Sequence, residues 1–441
     1  MEVQKQSGFV IALGLLAAIS MVAAPVRAEL QKYVRRPEPA FEWQLKKRID
    51  SPESGARIYD LHFVSQTWQE HKWQHQLQIY RPQGAAASST MFLWVTGGPA
   101  RASYIGLGME LARKIGAPVA FLYHIPNQPL LDGDLHEDDL IAETFVRYLK
   151  TQDADWPLLL PMVKSVVKAM DVLQAFGKKE WNQPVEKFIV AGASKRGWTT
   201  WLTAAVDSRV GAMAPMVIDT LNLRPQMRRQ LEAFGAYSSR LAPYSSRGLL
   251  PIPETPQADR LLAMVDPWAY RGRMTMPKLI INGTNDFYWA TDALNLYWDG
   301  IPGDKWVLYV PNAGHNLRRQ DRPQGEQLND LIDGLAAFSR HQIGGVPMPK
   351  LSWKHDQTDG KLRLTMDAAP APAGARLWIA ETASMDFRAA KWRSQELRVS
   401  RGKIVGAVAR PAKGHAAIFG EVDFDIKGLR YRLSTQMRMT K

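Results

Sequence analysis

Phe188-Ile-Val-Ala-Gly-Ala-Ser-Lys-Arg-Gly-Trp198 reads as a short apolar strand, a glycine, one serine, a second glycine and the start of a helix. A strand that turns sharply into a helix lifts the side chain at the turn above the sheet edge, and the crowded backbone there requires small neighbours. Such a turn is a nucleophile elbow, with Ser194 as the nucleophile. The common spacing is Gly-x-Ser-x-Gly. Gly192 matches it, but the second glycine comes one place late, at Gly197, and Arg196 stands in its slot. Taken alone, the pentapeptide also fits an ordinary strand-to-helix turn with an incidental serine. The weight therefore falls on the rest of the chain.

Downstream, Lys278 to Asn282 is an apolar strand followed by Gly283-Thr-Asn-Asp286, and Trp306 to Val310 is another followed by Pro311-Asn-Ala-Gly-His315. In an open parallel sheet, catalytic groups sit at the carboxyl ends of strands. Ser194, Asp286 and His315 lie at three such ends, in the chain order serine, acid, histidine. A serine hydroxyl attacks poorly until a base takes its proton. An imidazole titrates close enough to neutrality to be that base, and a carboxylate holds it in the right tautomer. Of nine histidines, His315 alone follows the elbow at a strand end within this region. The acid has alternatives. Asp219 ends the strand Val210 to Ile218, and Asp292 stands at a helix start. Asp286 is preferred because Gly-x-x-Asp after an apolar strand suits the acid position. The backbone N–H of Lys195 is one expected oxyanion donor, and a second is expected from the loop after the Met91 to Thr96 strand, at Gly98 or its neighbour Gly97. The cations beside the serine leave two readings open: one of them, with Arg196 the candidate, binds an anionic substrate group, or both are solvated.

Before the elbow, Ile58 to Gln69 and Trp73 to Tyr80 alternate as a hairpin. His71 and His75 are read there as solvated, and the acids Asp132, Asp134, Glu137, Asp138 and Asp139 as a helix start; no metal or other cofactor is expected. Strands then alternate with helices, which predicts an α/β fold: a mostly parallel sheet with helices on both faces. Within a domain spanning 29–345, residues 29–56 are read as an irregular surface wrap and about 221–275 as a cap insertion. After a Pro-rich link, 350–441 alternate with period two, which predicts a small all-β, immunoglobulin-like sandwich. Residues 1–28, with the apolar run Phe9 to Ala24 and Val26-Arg27-Ala28, read as a cleavable signal peptide, so the mature protein is expected to be periplasmic or secreted, with no transmembrane segment.

The 441 residues include no cysteine, which excludes disulfides and thiolate metal sites. The formal charge is +13, and +12 once Lys5, Arg27 and Glu2 leave with residues 1–28. A basic exported protein is drawn to anionic cell-envelope surfaces. The basic residues are scattered without a binding motif, which argues against nucleic acid.

Several stretches carry a resemblance: Pro126-Asn-Gln-Pro-Leu130, Glu137-Asp-Asp-Leu-Ile-Ala142, Trp156-Pro-Leu158 with Leu160-Pro-Met-Val-Lys164, Gly192 through Trp201, and Val217-Ile-Asp219. From about Leu30 to Met437 the chain resembles the PhoPQ-activated pathogenicity-related family, most firmly in the α/β region. The resemblance implies an α/β-hydrolase-like fold and a secreted or cell-envelope location. It also implies a link to virulence and to resistance against antimicrobial peptides, and it includes a eukaryotic branch of secreted proliferation repressors. It brings no agreed substrate. Over a few residues, the serine with its following cation also resembles the elbow of glucuronoyl esterases. The expected function is that of a serine hydrolase acting on a small ester or peptide. The alternative is a non-catalytic binding or signalling protein that keeps the fold and uses a Trp-rich pocket.

Overall fold

The computed structural model describes residues 29–51, 56–85 and 88–440; the signal-peptide expectation for 1–28 lies outside them. The architecture is mixed α/β around one large sheet, whose central order is β1-β2-β3-β5-β4-β6-β7-β8-β9. Strands β1 (Glu42–Ser51), β2 (Ala56–Trp68) and β3 (His71–Arg81) form an antiparallel edge, and β3 meets β5 (Val119–Leu122) antiparallel. From β5 through β4 (Thr90–Val95), β6 (Lys187–Ala193), β7 (Val210–Met216), β8 (Lys278–Gly283) and β9 (Lys305–Val310) every pairing is parallel.

Both faces of the parallel part are covered, so its strands are apolar throughout rather than alternating. Along β6, Phe188 and Val190 pack on one face with Trp201 and Leu202 of α5 (Lys195–Val206), and with Val166 and Met170 of α4 (Leu159–Trp181). Ile189 and Ala191 pack on the other, with Leu111 of α2 (Ala102–Ile115) and Leu335 of α9 (Asn329–Gly344). Chain order reverses at β4, with β5 on one side and β6 on the other. That reversal opens a crevice at the carboxyl ends of the strands, where ligands of such sheets bind.

Residues 29–56 are not an irregular wrap. The described part of α1 (29–35) is helical, and β1 follows it. Its alternation is masked by a bulge between Leu45 and Lys47 and by the run of Lys and Arg on the outer face. The helix expected near Asp292 is two short 3-10 turns, Ala293–Leu296 and Trp298–Gly300.

The C-terminal residues are all-β, as their period-two pattern implies, but they are not a free-standing layer. One sheet runs in the order β10 (Lys350–Thr358), β11 (Lys361–Ala369), β15 (Lys403–Ala409) and β14 (Val399–Ser400). The other strands, in the order β17 (Leu429–Ser434), β16 (His415–Ile426), β12 (Gly374–Thr382) and β13 (Arg393–Glu396), continue the central sheet. The join is the pair Ser434 and Val307, backed by the Tyr309 amide donating to Ser434 Oγ at 3.0 Å. Among the described residues no helix is long and apolar enough to cross a membrane.

Candidate active site

Ser194 occupies the turn between β6 and α5 with φ +56° and ψ −128°. A non-glycine residue there is strained by about 1–3 kcal/mol, and such strain is tolerated where surrounding structure enforces it. The enforcing contacts explain the shifted glycine. A Cβ on Gly192 would lie 2.5 Å from the Arg196 carbonyl oxygen, and one on Gly197 would lie 2.5 Å from Ile218 Cγ2 and 2.9 Å from the Gly192 oxygen. The glycine three places after the serine is thus the one that lets α5 press onto β7. The residue two places after it is free to be arginine.

His315 and Asp286 meet across the ends of β8 and β9. A Cβ on Gly283 would lie 2.5 Å from the carbonyl oxygens of Ala313 and Gly314, so only glycine lets the two loops close. The Asn285 amide then donates to the Ala313 oxygen at 3.0 Å. His315 Nδ1 donates to Asp286 Oδ2 at 2.8 Å, while Asp286 Oδ1 accepts the Tyr288 amide at 2.8 Å. The Tyr288 ring lies 4.3 Å from the imidazole, tilted by 35°. With its proton on Nδ1, His315 keeps a lone pair on Nε2, which is buried and has no hydrogen-bond partner. Ser194, His315 and Lys195 line one cavity. Ser194 Oγ and His315 Nε2 are not hydrogen-bonded to each other here; catalytic contacts often close only around substrate.

Asp219 does not reach the histidine. It accepts from Tyr297 at 2.5 Å and from Asn282 at 3.1 Å. Burial pushes its carboxyl up to about 7, against the opposing effect of those two donors. Below the unfolded value near 4 both states hold this proton. As pH rises from there through about 7, the folded protein must retain a proton the unfolded chain has shed or bury a charge, so stability falls. Asp219→Asn is therefore expected to stabilise the fold by about 2 kcal/mol more at pH 8 than at pH 5, read from urea denaturation. An equal effect at both pH values would show that Asp219 is not protonated in the folded state.

The cations beside the serine are claimed by the helix start at Glu137. Arg196, expected to bind substrate, is absent from the cavity wall. Its guanidinium donates to both carboxylate oxygens of Glu137 at 2.7 and 2.6 Å and to the Ile125 oxygen at 2.5 Å. The solvated reading fails too, since Lys195 and Arg196 are both buried. Gly97 makes room for this cation, because a Cβ there would overlap the guanidinium. Gly98, the other glycine of that loop, faces open space, and its carbonyl oxygen accepts the His124 amide at 3.2 Å. The Lys195 amide, at the first position of α5, has no acceptor among the described residues.

Sequence reasoning missed Asp138, the second residue of α3 (Glu137–Thr151), which lines the cavity. It accepts from Lys195 Nζ at 2.9 Å, Tyr244 at 3.0 Å and Tyr288 at 3.1 Å. The run of three acids was the only signal, and it looked like a helix start, which it also is. Trp198 is buried and lines the cavity as well. His75 is not solvated. It is buried between Ser65 Oγ and the His124 oxygen, and burial pushes it down to about 3.

Comparison with known proteins places these features in a family context. A family model described as "PhoPQ-activated pathogenicity-related protein" matches residues 30–388. Autocrine proliferation repressor protein A of Dictyostelium discoideum is 35% identical over 400 residues, covering 85% of this chain and 78% of that one. Among solved structures, an acetyl xylan esterase from Paenibacillus sp. R4 superposes with TM-score 0.49 at 14% identity, covering 71% of this chain and 93% of its own. A glucuronoyl esterase from Solibacter usitatus gives 0.45 at 12% identity, covering 72% and 91%.

Proposed function

The chain belongs to the PhoPQ-activated pathogenicity-related protein family, and from that premise we propose that it is a serine hydrolase of the α/β-hydrolase type that acts outside the cytoplasm on a carboxylic ester. One observation carries the reading. An imidazole held through Nδ1 by a buried carboxylate, with a desolvated and unpartnered Nε2, shares a cavity with a serine in strained backbone.

In this reading Ser194 Oγ attacks the ester carbonyl as its proton passes to His315 Nε2. Asp286 keeps the other imidazole proton in place and stabilises the imidazolium. The Lys195 amide, free at the helix N-terminus, donates to the oxyanion. The alcohol leaves with the proton from His315, and an acyl group remains on Ser194. Water then repeats the sequence, giving its proton to His315 and releasing the acid. The full rate enhancement of such a site depends on all three side chains acting together.

A fluorophosphonate probe tests the reading on protein recovered from the periplasm or medium, where its N-terminus should read Glu29. Ser194 is expected to be labelled in the wild type, with no labelling in a folded Ser194→Ala variant. Absence of labelling in folded wild-type protein would overturn the hydrolase assignment. A non-catalytic signalling role is the second reading, favoured by the name of the Dictyostelium relative. It requires that Ser194→Ala keep its biological effect.

A further inference from the structure

Within the serine-hydrolase reading, we infer that the substrate is a neutral ester whose acyl part is a short aliphatic chain of about four carbons. The wall around Ser194 is almost wholly hydrocarbon. It is built from Trp198 and Ile218 and from Met227, Leu249, Ile252 and Leu261 of the segment between β7 and β8. Its charged groups are already satisfied. Lys195 and Asp138 face each other at 2.9 Å, and Asp138 takes two tyrosine hydroxyls besides. Arg196, the other cation near the serine, is fixed on Glu137. A substrate carboxylate or ammonium would find no free partner and would lose its hydration. Two further wall residues, Thr220 and Trp289, carry a buried polar atom without a partner. Two scattered atoms of this kind cannot satisfy the several hydroxyls of a sugar ring.

The enclosed group is the acyl part rather than the alcohol. The acyl chain stays attached to Ser194 through both half-reactions, so an apolar pocket around the serine serves both. The alcohol must leave between them and needs an open path. The cavity volume of about 100 Å³ has room for about three water-sized groups at roughly 30 Å³ each. An acyl chain of about four carbons therefore fills it, and an acetyl group leaves part of it empty.

Initial rates on p-nitrophenyl acetate, butyrate, hexanoate, octanoate and laurate test this, with fluorophosphonate labelling run in parallel. Each buried methylene is worth about fourfold in kcat/KM, so butyrate is expected to exceed acetate by about 15-fold, with a fall by octanoate. Leu261→Phe and, on a separate stretch of chain, Ile252→Phe fill the cavity. Either is expected to move the optimum toward acetate while Ser194 is still labelled, and using both guards against one failing to fold. Labelling of Ser194 with a flat profile, or with acetate preferred, overturns the aliphatic pocket and leaves the hydrolase reading standing. No labelling in folded protein overturns both.

Discussion

Asp286→Asn is expected to lower kcat on a short ester by about 10³–10⁴-fold while leaving the fold intact. Asp286 serves two donors at once, the His315 ring and the Tyr288 amide, each at 2.8 Å. An asparagine has one acceptor to offer. If its oxygen keeps the Tyr288 amide, its NH₂ faces His315 Nδ1, which must then present a lone pair. The imidazole proton moves to Nε2, and a protonated Nε2 cannot accept from Ser194. The change is isosteric, and both backbone contacts that close the loops lie outside it, so thermal stability should move little. A parallel Asp219→Asn variant separates the two acids, because Asp219 sits on Tyr297 and Asn282 instead of the ring. A loss under tenfold for Asp286→Asn, with a large loss for Asp219→Asn, would transfer the acid's role to Asp219.

The difference between those two aspartates also shows where sequence stops being informative. Both follow apolar strands, and only the Gly-x-x-Asp spacing favours Asp286 locally. The deciding contact is Gly283 against the Ala313 and Gly314 oxygens, a fit between two loops that no periodicity encodes. The sheet was legible because burial on both faces writes long apolar runs into β4, β6, β8 and β9. The elbow was legible because a sharp turn needs small residues within a few positions. Arg196 was misread for the opposite reason. Its partner Glu137 lies 59 residues earlier, and an acid at a helix start already has a sufficient local explanation. His75 was misread similarly, since its burial depends on β2, β3 and α4 packing together. The joining of the C-terminal strands to the main sheet rests on one cross-strand pair, which leaves no pattern at all.

Glu137→Ala is expected to cost about 2–4 kcal/mol of stability at pH 7. Removing one partner of a buried ion pair typically costs about 3–5 kcal/mol, because the other charge is left unpaired. The lower range applies because Glu137 keeps partial contact with water while Arg196 is buried. Three elements meet at this pair. The Arg196 guanidinium lies against Gly97 after β4, its Nε donates to Ile125 after β5, and Arg196 itself is the second residue of α5, two places after Ser194. Activity should therefore fall with stability even though neither residue lines the cavity. The pH dependence supplies a second signature. Burial alone would raise the Glu137 carboxyl, but Arg196 and Lys195 more than reverse it and hold it at about 2. A depressed carboxyl stabilises the fold fully above its unfolded value near 4.3 and loses that contribution as pH falls toward the folded value. Urea denaturation should thus show the gap between wild type and Glu137→Ala narrowing from pH 5 to pH 2. Pairing the change with Arg196→Met should recover much of the loss at pH 7, since the stranded cation is then gone. A cost below about 1 kcal/mol for Glu137→Ala, or no recovery in the pair, would mean that the elbow is held by its glycine contacts alone.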